Sequence, residues 1–120
     1  MTKIIIAGGR DFKMYDLLCQ ALESLLCEMN LQKHEVTIVS GGARGADTLG
    51  ERYAREHGIE LVIFPADWDT YGNAAGPIRN AEMADYADYL LAFWDGKSRG
   101  TANMIQAMKN RKKHGKVIKY

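Results

Sequence analysis

Short apolar runs alternate along this chain with segments of helical period. Residues 3–7 are a β-branched run ended by Gly8-Gly9, which predicts a buried strand. Leu17, Leu18, Ala21, Leu22, Leu25, Leu26 and Met29 then recur at intervals of four and three. That spacing lays one apolar stripe along a helix, with Asp11 or Phe12 near its start. Residues 36–39 form a second strand, stopped by Ser40-Gly41-Gly42. A helix from Ala46 to His57 follows, closed by Gly58 as a C′ glycine, and residues 59–64 form strand three.

The segment from Pro65 to Gly76 has no clear period and is rich in turn formers. Pro77 suits the first turn of a helix running to Tyr86. Residues 89–94 are apolar on both faces, as in a central parallel strand. Residues 101–113 read as helix, Gly115 as its closing residue, and Val117-Ile118 as a final strand. Strands and helices thus alternate, which predicts an α/β domain with a parallel five-stranded sheet, right-handed crossovers and helices on both faces. At 120 residues, with no linker, repeat or low-complexity tract, residues 1–120 make one domain.

Composition narrows the function classes. Sixteen Lys and Arg against fifteen Asp and Glu give a net charge of +1, so no overall field favours nucleic acid or an anionic membrane. No run approaches the length of a membrane span, and the apolar N-terminal stretch is too short for a signal peptide, so a soluble, cytoplasmic protein is expected. Cys19 and Cys27 fall in one helical stretch, about 12 Å apart, too far for a disulfide. Both read as small core residues of a reducing compartment. The cysteines and His34, His57 and His114 show no metal-ligand spacing, so neither a metal nor a resident cofactor is expected.

In a parallel α/β sheet, ligands bind beyond the carboxyl ends of the strands, at the switch in strand order. Three loops there carry glycine and arginine together: Gly8-Gly9-Arg10-Asp11, Ser40-Gly41-Gly42-Ala43-Arg44-Gly45-Ala46-Asp47, and Asp95-Gly96-Lys97-Ser98-Arg99-Gly100-Thr101. The loop after strand three leads into Gly76-Pro77-Ile78-Arg79-Asn80. Arg10, Arg44, Arg79 and Arg99 would therefore gather on one rim of a nearly neutral protein. Glycines let backbone approach an anion, helix N-termini offer free N–H groups, and arginine adds bidentate contacts to phosphate. Two such contacts contribute about 3–6 kcal/mol, enough only for roughly millimolar binding, so the rest of a nucleotide must also be held. Phe12, Trp68, Tyr71 and Trp94 are the aromatics in or beside these loops. The standard nucleotide fingerprints fail: Gly8-Gly9-Arg10 is not a Gly-x-Gly start, and Leu91 stands where a P-loop ending at Gly96-Lys97-Ser98 needs its first glycine.

Together the Gly8–Phe12, Ser40–Asp47 and Gly76–Asn80 stretches resemble the SLOG superfamily, most closely its small YspA/YpsA-related branch. The resemblance implies a three-layer Rossmann-like fold that binds nucleotides or nucleotide-derived molecules, often as a homodimer. Other members of the superfamily include cytokinin-activating phosphoribohydrolases, sensors of NAD-derived signals and a DNA-processing protein. In the phosphoribohydrolases a helix-borne Arg-Lys pair is similar to Arg79-Asn80 here, with the lysine replaced. Their loop Pro-Gly-Gly-x-Gly-Thr-x-x-Glu is similar to the stretch ending Gly100-Thr101-Ala102-Asn103-Met104, where Met104 stands in place of the catalytic glutamate. A thioether can neither accept a proton nor stabilise an oxocarbenium ion, and losing such a group typically costs about 10²–10⁴ in rate. The binding half of the motif survives and the chemical half is missing.

If catalysis remains, its acids lie elsewhere. Asp11 and Asp47 read first as helix-start residues, Asp67 and Asp69 as loop polarity rather than magnesium ligands, and Asp88 as the start of a strand. Asp95, at the end of the central strand, is placed to meet ribose hydroxyls or a base, and Ser40 and Thr101 have hydroxyls for phosphate. His57 and His114, each before a closing glycine, read as dipole partners, and no nucleophilic triad is visible. Lys109, Arg111, Lys112, Lys113, Lys116 and Lys119 read as a basic last turn and a solvated edge strand rather than a nucleic-acid face. The expectation is a module that senses, carries or sequesters a phosphorylated nucleoside, ADP-ribose or an NAD-derived signal, a cyclic ADP-ribose-type defence signal being one form. The alternatives are an N-glycosidase using Asp47 or Asp95, and single-strand nucleic-acid binding.

Overall fold

The computed structural model describes residues 1–120, with a radius of gyration of 13.1 Å. Five strands, β1 Thr2–Gly8, β2 Val36–Ser40, β3 Glu60–Ile63, β4 Tyr89–Trp94 and β5 His114–Lys119, form one sheet in the order β3-β2-β1-β4-β5, and every neighbouring pair is parallel. The helices are α1 Tyr15–Glu28, α2 Ala46–Glu56, α3 Trp68–Tyr71, α4 Ala75–Tyr86 and α5 Arg99–Asn110. No helix is long and apolar enough to cross a membrane.

The apolar run of β1 explains the layering. Its side chains alternate between faces: Ile4 and Ile6 meet Leu18, Leu22, Leu25 and Tyr53 of α1 and α2, whereas Ile5 and Ala7 meet Met83, Met104 and Met108 of α4 and α5. β4 divides in the same way, Leu91 and Phe93 to one side and Leu90 and Ala92 to the other. Both central strands are therefore buried on two faces, as an uninterrupted apolar run requires. Asp88 ties their starts together, its carboxylate accepting from the Lys3 N–H at 2.9 Å.

Several boundaries differ from the sequence reading. Asp11 and Phe12 do not begin α1, which starts at Tyr15. Phe12 turns into the core instead, its ring 4.7 Å from that of Phe93, and its N–H bonds to the Gly9 carbonyl in a tight turn. Gly58, with φ +63°, does follow α2 as a C′ glycine. Gly115 closes nothing: it lies within β5 opposite Leu90, where a Cβ would lie 3.1 Å from the Leu90 Cβ. Lys112, with φ +56°, takes the left-handed position after α5, and His114 starts a strand rather than ending a helix. Helix α5 begins two residues earlier than the spacing predicts, at Arg99. The aperiodic stretch contains the single turn α3, whose start is capped by Asp67 accepting from the Thr70 N–H. Cys27 is exposed, so only Cys19 is even partly buried.

Candidate functional site

Strand order reverses between β1 and β4, and a cavity of about 720 Å³ opens beyond their carboxyl ends. Gly9 extends the sheet one residue past β1, its N–H bonding to the Phe93 carbonyl at 3.1 Å, and the chain then presents Arg10 and Asp11 to the opening. Helix α4 contributes Arg79, Asn80 and Met83, the first turns of α5 contribute Arg99, Gly100, Thr101 and Met104, and α2 contributes Asp47. Trp68 of α3, half exposed, forms a side wall.

Of the residues singled out from sequence, Gly8, Gly9, Arg10, Asp11, Asp47, Arg79, Asn80, Asp95, Arg99, Gly100 and Thr101 line this cavity. Ser40, Gly41, Gly42, Arg44 and Gly45 do not. Ser40 is fully buried, its hydroxyl 2.7 Å from Glu51 Oε2 and accepting from the Gly42 N–H, so no hydroxyl is left for a ligand. Gly45 is needed by the protein itself: with φ +80°, it carries the β2–α2 loop so close to the Gly9 carbonyl that no Cβ fits between them. Gly41, Gly42 and Arg44 instead line a second concavity beside the first.

The β4–α5 loop divides its donors. Asp95 accepts from the N–H groups of Lys97 and Ser98 through Oδ1, at 2.8 Å each, and these bonds hold its carboxyl below the usual range. Ser98 caps α5, accepting from the Thr101 N–H. The N–H groups of Arg99 and Gly100, at the first two positions of α5, have no partner in the protein, and a Cβ on Gly100 would meet nothing within 4 Å. The positive end of the α5 dipole therefore opens into the cavity.

The arginines separate into two groups. Arg52, Arg55 and Arg111 form ion pairs with Glu56, Glu51 and Asp85, whereas Arg10, Arg44, Arg79 and Arg99 have no carboxylate within 4.0 Å. The unpaired four are those of the rim. Arg79 is partly buried: it donates to the Gly41 carbonyl and, at 2.9 Å, to Asn80 Oδ1. Burial and the nearby positive charge of Arg10 lower its pKa, opposed by Asp47. Two cations held close, neither in a direct ion pair, make a site for an anion.

Three carboxylates share the lining, and each already has donors of the protein's own. Asp11 accepts from the Tyr120 hydroxyl at 2.6 Å, Asp95 is held by its loop, and Asp47 accepts from the Ala43 N–H at 3.2 Å. Asp47 is 6% exposed, and burial pushes its pKa up to about 6 against the N–H of Ala43 and the charge of Arg79. It is the one carboxyl here poised to exchange a proton near neutrality.

Asn80 is buried and fully engaged. Its amide donates to the Gly100 carbonyl at 3.3 Å and to Asn103 Oδ1 at 2.9 Å, joining α4 to α5. It shapes the wall instead of offering a free donor. Met104, 1% exposed, brings a thioether to the cavity. Among the aromatics, Phe12 belongs to the core, Trp94 donates its indole N–H to the Ser98 carbonyl, and Tyr71 lies outside the cavity; Trp68 alone lines it. Sequence reasoning missed Tyr120, whose hydroxyl lies where a Cβ on Gly9 would be, because nothing local brings residue 120 to residue 9. It also missed Asn103, visible only as the partner of Asn80.

The basic C-terminal stretch is largely engaged. Lys113 donates to the carbonyls of Ala84, Asp85 and Ala87, Arg111 pairs with Asp85, Lys116 with Glu28, and Lys119 lies over the Trp94 ring.

The model of YAcAr, the YspA, cpYpsA-related SLOG family, matches residues 2–71. The chain belongs to this SLOG family. Gene 61 protein of Mycobacterium phage D29 is 35% identical over 112 residues, which cover 88% of this chain and 87% of that protein. The X-ray structure of DNA processing protein A (DprA) from Streptococcus pneumoniae superposes with a TM-score of 0.74 at 16% identity, over 98% of this chain. The chain spans half the length of that structure, and the likeness is one of fold. The matched SLOG region carries the Gly8–Phe12 and Ser40–Asp47 stretches, while Arg79 and the α5 N-terminus lie beyond it. Membership supports a nucleotide-related, small-molecule-binding fold.

Proposed function

We propose that this SLOG protein binds a phosphorylated nucleoside, ADP-ribose or another NAD-derived molecule, and acts as a sensor, carrier or sequestering module. One observation carries the reading: Arg10, Arg79 and Arg99, cations without carboxylate partners, line one cavity together with the open N–H groups of α5. Phosphate meets the arginines and the helix end, and Trp68 offers an indole face to the base. Met104, where the phosphoribohydrolases have their glutamate, speaks against turnover by that route.

Thermal unfolding with nucleoside monophosphates, NAD and ADP-ribose, followed by chromatography of the ligand, tests this. Ligand at 100 times its Kd should stabilise the protein by about 2.7 kcal/mol and be recovered intact. No shift with any of them would end the reading.

A second reading, hydrolysis of the N-glycosidic bond, is favoured by Asp47 alone, since its carboxyl is raised to about 6 within the cavity. Asp95 is the weaker acid candidate because its bonds to Lys97 and Ser98 favour the ionised form. Released base that disappears in Asp47→Asn would establish this second reading in place of the first.

A further inference from the structure

The second concavity, about 500 Å³, opens beside the first, between the β2–α2 loop and the residues after β3. Arg10, Ala43, Trp68 and Arg79 line both spaces and so form the boundary between them. The unpaired arginines are distributed accordingly. Arg99 borders only the larger cavity, Arg44 only the smaller one, and Arg10 and Arg79 stand at the boundary. Arg79 reaches across it to the Gly41 carbonyl. The smaller space also has an apolar side, with Ile63 41% exposed beside Pro65 and Ala66.

A mononucleotide carries its anion at one end. Seated in the larger cavity with its phosphate at the boundary, it leaves Arg44 and the Ile63 side without a role. A molecule with phosphate in the middle and a nucleoside on each side matches the whole arrangement: cations at the centre, concave space on both flanks, and Trp68 bordering each. Resting on the nucleotide-binding reading, we infer that the ligand belongs to the dinucleoside polyphosphate class, its phosphates running from the Arg10–Arg79 boundary toward Arg99 and the α5 N-terminus and one nucleoside arm in each concavity. Burial of the second base against Ile63, with the Arg44 guanidinium over its face, adds roughly 10-fold in affinity.

Calorimetric titration of the wild type with AMP, GMP, CMP and UMP, and with the matching symmetrical dinucleoside pyrophosphates, decides the matter. For the preferred base, the pyrophosphate-linked pair should bind at least about 10-fold tighter than its monophosphate. Arg44→Ala and Ile63→Glu, both at exposed positions, should each bring the ratio of the two affinities close to one, with urea midpoints confirming that both variants fold. A monophosphate that binds as tightly as the linked pair overturns the two-armed ligand and leaves the nucleotide reading standing. A ratio unchanged in both variants also overturns it, because the second arm then lies elsewhere. No binding of any of these probes overturns the two-armed ligand, and if NAD and ADP-ribose titrated alongside them also fail to bind, the nucleotide reading falls with it. Affinity that climbs with the length of a single-stranded oligonucleotide and falls steeply with salt replaces the small ligand with nucleic acid.

Discussion

Asp47 and Arg79 approach the same point beside Gly41: a Cβ there would lie 2.9 Å from Asp47 Oδ2 and 2.6 Å from Arg79 Nη1. The absence of a side chain at residue 41 lets the guanidinium settle on the Gly41 carbonyl, near a carboxyl with which it forms no direct ion pair. Gly41→Ala should therefore act on the site more than on the fold. The backbone there is not left-handed, and the obstructing atoms are the ends of side chains, so the chain still folds. With Arg79 displaced, one charged contact to phosphate is lost, and nucleotide affinity should fall about 10-fold to 100-fold. Parallel titration and urea denaturation check the separation; a large loss of stability with unchanged affinity would contradict it.

Lys113 closes the carboxyl end of α4. Its ammonium donates to the carbonyls of Ala84, Asp85 and Ala87 at 2.7, 3.0 and 2.7 Å. These carbonyls carry the negative end of the helix dipole, so the contact combines hydrogen bonding with favourable charge. Lys113→Met keeps the aliphatic stem and removes the donors. It should lower unfolding free energy by about 2 kcal/mol and leave nucleotide affinity intact, as read from urea midpoints at pH 7.

The layered fold is written in local pattern, because Ile4, Ile5 and Ile6 can be buried together only in a strand covered on both faces. The clustering of Arg10, Arg79 and Arg99 is readable for a related reason: in a parallel sheet every strand-to-helix loop opens on the same edge. The misplaced details share another cause. Phe12 leaves the helix start for Phe93, Ser40 turns its hydroxyl to Glu51, and Gly115 is needed opposite Leu90. Each is decided by a partner far along the chain, which no periodicity contains. Gly8 and Gly45 read equally well as phosphate-binding glycines from sequence, yet packing already requires both, Gly8 against Phe93 of β4 and Ala46 of α2, and Gly45 against the Gly9–Arg10 backbone.

Arg99 separates ligand binding from stability. It is exposed at the first position of α5, and no carboxylate lies within reach of its guanidinium. Arg99→Ala should shift unfolding by less than about 0.5 kcal/mol. Its effect on phosphate should reach about 10-fold or more, shrinking as salt screens the exposed charge. Titrations at low and high ionic strength provide the readout. An affinity that does not respond to the substitution would remove Arg99 and the α5 entrance from the binding surface.

Asp47 makes stability and binding depend on pH in a defined direction. Burial raises its carboxyl from an ordinary value of 3.8 to about 6, so the folded chain holds a proton that the unfolded chain releases between those values. Stability contributed by this group is thus fully present below about pH 4, declines as pH rises toward 6, and is lost above it; the span corresponds to about 3 kcal/mol. Asp47→Asn removes the titration. The variant should match the wild type near pH 4 and exceed it progressively to pH 7, which urea denaturation at successive pH values reads directly. Two parallel stability curves would contradict the buried-carboxyl account. An anion bound beside Asp47 further disfavours its ionised form, so by linkage binding draws a proton from solution near pH 6–7. Calorimetry of ADP-ribose, whose phosphates do not titrate in that range, in buffers of different ionisation enthalpy should record the uptake in the wild type and lose it in Asp47→Asn.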